Sequence, residues 1–107
     1  MQRDSNMNDV FLKWDAPATT PPSRGAFVLE DGNQRLAEMA FKIHGSNMTV
    51  YHTEVDKSLQ GKGISTKLLN LMVDYVREHN LKVIPLCRYV HAQFERNPEK
   101  YADIWKR

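Results

Sequence analysis

The sequence predicts one domain of the α/β (α+β) class, an antiparallel β-meander followed by an α-β-α run, in the order β-β-β-α-β-α. Three observations predict it. Apolar and polar residues alternate through much of the stretch from residue 26 to residue 55, the period of strands with one face buried. Short Asp/Gly/Asn turns divide that stretch into three. From Ile64 onward the apolar period changes to that of a helix.

Ala26–Glu30 is the first expected strand, closed by the tight turn Asp31-Gly32-Asn33. Leu36–His44 is the second: Ala37, Met39, Phe41 and Ile43 share one face, Glu38 and Lys42 the other. Gly45-Ser46-Asn47 turns the chain into Met48–Val55, a third strand of β-branched and aromatic character. Ile64, Leu68, Leu71, Met72, Tyr75 and Val76 then form one stripe of a helix from Ile64 to His79, with Asn80 suited to its C-terminal cap. Leu81–Leu86 is the last strand. Pro85 brings no ladder donor, so this strand is expected to splay or to lie at an edge. Tyr89–Arg96 is the second helix, with Val90 and Phe94 four apart. Asn97-Pro98 ends it and starts a last helical turn through Tyr101 and Trp105.

Before residue 19 the chain changes character. Met1–Asp9 is mostly polar, and the run Val10-Phe11-Leu12-Lys13-Trp14 is apolar enough either to dock on the core or to meet another subunit. Asp15–Ser23 gathers Pro17, Pro21 and Pro22 and reads as an extended linker. The expected division is a flexible N-terminal segment over 1–18 and a domain over 19–107. A chain of 107 residues, 41% apolar, supports one modest core. Its net charge of +2, from 15 basic and 13 acidic residues, argues against nucleic acid as a partner. Cys87 is the one cysteine, which excludes an intrachain disulfide and suits a reducing cytoplasm. The N-terminus lacks the apolar core of a signal peptide. No run approaches the roughly 20 apolar residues of a membrane span. The expectation is a cytoplasmic protein with no membrane partner.

The segment Val55-Asp56-Lys57-Ser58-Leu59-Gln60-Gly61-Lys62-Gly63-Ile64-Ser65-Thr66 carries the most chemistry. It lies where a strand ends and a helix begins. Gly61 and Gly63 allow the backbone to approach a ligand with its amides converging. Ser65 and Thr66 sit in the first helical turn, whose free N–H groups favour anions, and Lys62 adds a positive charge. That chemistry suits a pyrophosphate. A glycine-rich turn with an ordinary helix cap is the plainer alternative. The segment is neither a Walker loop, since no Gly-Lys-Ser/Thr closes it, nor a dinucleotide fingerprint, which needs a third glycine in a parallel βαβ unit.

The run Gln60-Gly61-Lys62-Gly63-Ile64-Ser65 resembles the Gln/Arg-x-x-Gly-x-Gly/Ala signature of the GNAT N-acetyltransferase superfamily, with Ser65 where that family usually has Gly or Ala. Phe27-Val28-Leu29-Glu30, Ala37-Glu38-Met39, His52-Thr53-Glu54-Val55 and Pro85-Leu86-Cys87 resemble its minimal single-domain, YjdJ-like branch, and the similarity covers about residues 20–105. The resemblance implies a GNAT-like domain that takes acetyl-CoA (coenzyme A) as co-substrate and acetylates an unidentified amine. It implies that Val55, Gln60, Gly61, Lys62, Gly63, Ser65 and Thr66 bind the cofactor, loop amides on the pyrophosphate and the strand His52–Val55 along the pantetheine arm.

Cys87 falls between the last strand and a helix, where a helix N-terminus and Arg88 favour a thiolate; a buried cysteine packed as a small hydrophobe is the equal alternative. The resemblance places Cys87 at the acetyl end of the cofactor with His52 close by; with Glu54 as a further candidate base, Cys87, His52 and Glu54 are the catalytic candidates. Either the thiolate takes the acetyl group with His52 as base, or an amine attacks acetyl-CoA directly with His52 or Glu54 as general base. His52 and Glu54 alternate to one face of a regular strand, where each also reads as an ordinary strand side chain. His44, His79 and His91 lack metal-ligand spacing with Cys87, so no metal site is expected. A non-catalytic acyl-CoA-binding module is the alternative to an enzyme, because so short a chain leaves little for an acceptor pocket.

Overall fold

The computed structural model describes residues 9–15 and 23–107. The first eight residues and Pro17, Pro21 and Pro22 of the expected linker lie outside the described residues. Four strands, β1 (Phe11–Trp14), β2 (Ser23–Asp31), β3 (Gln34–His44) and β4 (Asn47–Val55), run as an antiparallel meander. A single 3-10 turn, Lys57–Leu59, leads into α1 (Ile64–Glu78); β5 (Lys82–Pro85) and α2 (Arg88–Arg96) follow. The sheet order is β1-β2-β3-β4-β5, with β5 parallel to β4. This is the expected mixed α/β domain with one strand added. The run whose type the sequence left open is β1, which docks on β2 with Phe11 opposite Val28 and Trp14 opposite Gly25.

Alternation decides which side of the sheet is covered. Phe27, Leu29, Met39, Phe41, Met48, Val50 and Val83 present one fully buried face, and α1 lies across β2, β3 and β4 on it. The helix buries Ile64, Leu68, Leu69, Met72, Val73 and Val76, a broader sector than the expected stripe, in which Leu71 and Tyr75 are only partly buried. Its end is chemically defined: Asn80 turns left-handed at φ 55, Asn80 N–H bonds Arg77 O, and Leu81 N–H bonds Val76 O at 2.9 Å. That pair of reverse bonds is a Schellman cap, with Leu81 tucked against the core.

α2 contributes Val90 and Phe94 to the same core. Beyond Asn97 the expected helical turning is present, with Tyr101 N–H on Asn97 O at 3.3 Å and Trp105 N–H on Tyr101 O at 3.0 Å, and the chain then returns to the sheet. Val83 N–H bonds Ile104 O at 2.6 Å and Lys106 N–H bonds Val83 O at 2.8 Å, so Trp105 bridges β5 in parallel and partly covers its outer edge. Phe94 meanwhile stacks on Tyr101 at 4.7 Å.

Two features of this frame place the site. β5 stops at Pro85, paired with Val50, and the Cys87 N–H closes on Val50 O at 2.9 Å. Residues 51–55 of β4 therefore continue with no strand beside them on that edge among the described residues. No helix among the described residues is long and apolar enough to cross a membrane.

The β1 docking is sensitive to one atom. A Cβ on Gly25 would stand 2.7 Å from the Lys13 carbonyl oxygen and 3.1 Å from the Phe41 ring. Gly25→Ala is expected to lose about 1–3 kcal/mol of stability in urea unfolding, as overpacked sites do; an unchanged midpoint would contradict the β1–β2 contact.

Candidate active site

The site begins with a fault in β4. Its pairing with β3 runs to Phe41 opposite Val50 and resumes at Ala40 opposite His52, leaving Tyr51 as an extra residue. A bulge of one residue reverses the facing of everything after it. Met48 and Val50 point into the helix-covered core. Past the bulge Thr53 and Val55 take that side, opposite Met39 and Ala37, while His52 and Glu54 turn to the other face with Glu38.

On the helix side a cavity of about 480 Å³ fills the space that β5 vacates. Thr53 and Val55 form its strand wall, Gln60 through Thr66 its loop and helix end, and Tyr89 and Gln93 its α2 wall. The loop is shaped for approach. Asp56 anchors its start by accepting from Ser58 N–H at 3.0 Å, and Lys62 N–H returns to Leu59 O at 3.2 Å. Gly61 and Gly63 have φ of 82 and 77, and a Cβ at either would meet no protein atom within 4 Å. Gly63 is the N-cap of α1 and no side chain caps the helix. The amides of Gly61, Gly63, Ile64, Ser65 and Thr66 have no backbone acceptor among the described residues. These five residues and the positive end of a helix dipole border the cavity, an electrostatic setting that favours an anion.

Cys87 caps α2 and is 3% exposed, its Sγ 3.2 Å from Thr53 Oγ1. His52 lies across the strand from it. Its Nε2 is 2.7 Å from Glu38 Oε2, whose other oxygen accepts from Arg35 Nη1 at 3.0 Å. Arg35 Nε in turn donates to Glu30, which also holds Lys13. One donor atom from each of Glu38, His52 and Glu54 lies within 4.8 Å of the other two. That trio is spaced for a cation, but both Glu38 oxygens are already committed to hydrogen bonds. A second hollow of about 640 Å³ opens on Arg35, Glu38, Glu54, Asp56 and Lys57, and it shares Thr53, Val55 and Gln60 with the first.

Of the seven residues expected to bind cofactor, Val55, Gln60, Gly61, Gly63, Ser65 and Thr66 line the 480 Å³ cavity together; Lys62 is exposed between the two glycines and is not part of the lining. Of the catalytic candidates, His52 and Glu54 share a face as expected. The structure does not join Cys87 to His52: the Tyr51 bulge sends them to opposite sides of β4, and Thr53 is the thiol's partner. Thr53 was expected only as part of the strand His52–Val55, and Glu38, Arg35, Tyr89 and Gln93 were not named as site residues from sequence. Glu38 had a visible signal, its outward parity in the strand next to His52; the others depend on packing.

The family model for GCN5-related N-acetyl-transferases matches residues 26–104. The chain belongs to the GCN5-related N-acetyltransferases. The fold agrees: it superposes with a TM-score of 0.65 on the NMR solution structure of a GCN5-like protein from Staphylococcus aureus, whose own N-acetyltransferase activity is an inference. The two are 25% identical over 94% of this chain and 89% of that one. No curated protein matches the sequence. In this N-acetyltransferase, then, the meander and α-β-α run form the family's fold, and membership brings N-acetyltransferase activity as the general function.

The outer-face network also has a pH signature. Burial works upward on the Glu38 carboxyl, but the hydrogen bonds from His52 and Arg35 outweigh it and hold the group below its ordinary 4.5. The folded state therefore binds fewer protons than the unfolded chain in that region, so the stabilisation is complete above pH 4.5 and is lost as pH falls through the folded value. Urea midpoints measured from neutral to acid pH are expected to fall less steeply in Glu38→Gln than in the wild type. Equal slopes would contradict the network.

Proposed function

We propose that the protein is an acetyl-CoA-dependent N-acetyltransferase that passes the acetyl group directly to an amine across β4. The observation that carries this reading is the pair of hollows that share Thr53, Val55 and Gln60, one bounded by the amide cradle and the other by Glu38 and Glu54. The pyrophosphate of the cofactor sits on the amides of Gly61, Gly63, Ile64, Ser65 and Thr66, and Lys62 adds long-range attraction. The pantetheine arm follows Thr53 and Val55 along the strand edge that β5 leaves open. That path carries the thioester toward the fork between β4 and β5, where Cys87 and Thr53 lie. The amine enters from the acid-lined side, where Glu54 lines the hollow with His52 within 4.8 Å of it, and one of the two takes its proton.

Direct transfer is favoured over an acetyl-cysteine because the Cys87 thiol is buried and already engaged with the Thr53 hydroxyl. Cys87 and Thr53 then shape the thioester end of the channel. A lone, buried thiol also fits a cytoplasmic setting.

Acetyl-CoA at a hundredfold excess over its Kd is expected to stabilise the protein by about 2.7 kcal/mol, read as a raised Tm. Gly63→Glu, which brings bulk, negative charge and a strained left-handed backbone into the cradle, should remove that shift; an unaltered shift would refute the loop assignment. Mass spectrometry separates the chemical routes. Cys87→Ala is expected to keep release of CoA in the presence of primary amines, with no acetyl adduct on the wild-type thiol. An adduct that Cys87→Ala abolishes together with turnover would overturn direct transfer, and tight binding without amine-dependent release would make the protein an acyl-CoA-binding module.

A further inference from the structure

We propose that Glu38 is a positioning residue that fixes His52 in its Nε2–H tautomer, so that Nδ1 is the atom that takes the proton from the acceptor amine. The inference rests on the reading of His52 as the base and adds which atom acts and what orients it. The geometry is specific. Glu38 stands opposite Glu54 and His52 opposite Ala40, so the Glu38 and His52 side chains meet as diagonal neighbours on the open face of the sheet. Oε2 of Glu38 faces His52 Nε2 at 2.7 Å, and Oε1 is held from behind by Arg35 Nη1 at 3.0 Å. Arg35 is braced in turn by Glu30, and Glu30 by Lys13 at 3.1 Å, a line of alternating charge across β1, β2 and β3. The same partners that aim the Glu38 carboxyl keep it ionised.

An ionised carboxylate only accepts hydrogen bonds, so the short contact requires the proton to sit on Nε2. The neutral ring then carries its lone pair on Nδ1. The ring is the more open partner, its side chain 49% exposed against 23% for Glu38, which leaves the base accessible while its orienter is sheltered. Glu54, directly opposite Glu38, brings a second carboxylate within 4.8 Å of the ring. In the step itself the amine nitrogen bonds to the thioester carbonyl carbon and its proton passes to Nδ1. The C–S electron pair leaves with the CoA sulfur, and the imidazolium returns the proton through solvent to the departing thiolate.

Long-range 1H–15N correlation of the full-length protein reads the tautomer without any acceptor. At an alkaline pH where imidazole is neutral, His52 is expected to show a protonated Nε2 and a bare Nδ1. Glu38→Gln, whose amide can donate to Nε2, should lose that pattern, and Glu38→Asp should restore it at least in part. The amide spectrum of Glu38→Gln reports whether the fold is kept, and a bare Nε2 in the wild-type protein overturns the proposal whatever the variants do. With n-butylamine as the probe acceptor, kcat in Glu38→Gln is expected to fall about 10–100-fold with the KM for acetyl-CoA unchanged. If His52→Ala leaves butylamine turnover intact, His52 is not the base and the proposal falls with that reading. If His52→Ala abolishes turnover while Glu38→Gln keeps both rate and tautomer, the base stands and the role of Glu38 is overturned.

Discussion

An extra residue in β4, Tyr51, coincides with the point where β5 leaves the sheet, and the whole arrangement of the site depends on that coincidence. A strand normally offers alternate residues to two faces and both edges to neighbours. Here Pro85 ends the pairing on one edge just where the bulge reverses the facing of side chains. The released edge borders a cavity beneath the sheet. The reversed side chains put Thr53 and Val55 toward that cavity and give the imidazole and carboxylate to the opposite face. One short segment thus serves two compartments that need different chemistry.

Each compartment is stabilised in its own way. Beneath the sheet, α1 can leave its N-terminus uncapped because its apolar sector and its Schellman C-terminus hold it in place. The orphan amides that a side-chain cap would satisfy remain available to an anion. Above the sheet, where no apolar cover is needed over the polar rows, charges are set against each other from Lys13 to His52. Exposed ion pairs of this sort add little stability singly. Their value lies in orientation, since each partner restricts the rotamers of the next and the last of them is an imidazole. The addition of β1 matters for this reason: it carries Lys13, the outermost member of the row.

Much of this was legible in residues. Alternation through Ala37, Met39, Phe41 and Ile43, the turns at Gly32 and Gly45, and the helical period from Ile64 all follow local rules that the structure obeys. Gly61 and Gly63 before Ser65 and Thr66 marked the glycine loop at the start of α1, because positive φ and free amides are properties of a few adjacent residues. What the sequence hid was non-local. A bulge at Tyr51 depends on how β3 and β4 settle in register, so nothing in Val50-Tyr51-His52 announces that His52 and Cys87 part company. The strand at Phe11–Trp14 was equally hidden, since its partner β2 is reached only through a proline-bearing connection that separates the two in sequence. The helical turning after Asn97 follows from the spacing of Tyr101 and Trp105, whereas the backbone bonds to Val83 that set that segment beside the sheet are non-local.

The central claim is that an anionic cofactor occupies the space under β4 and is held by main-chain N–H groups. Titrating the 15N-labelled protein with coenzyme A tests it residue by residue. The account predicts large amide shifts at Gly61, Gly63, Ile64, Ser65 and Thr66, accompanied by Thr53 and Val55, with Glu30 and Lys13 unmoved. Saturable binding that left those loop amides in place and moved only the charged face would contradict it.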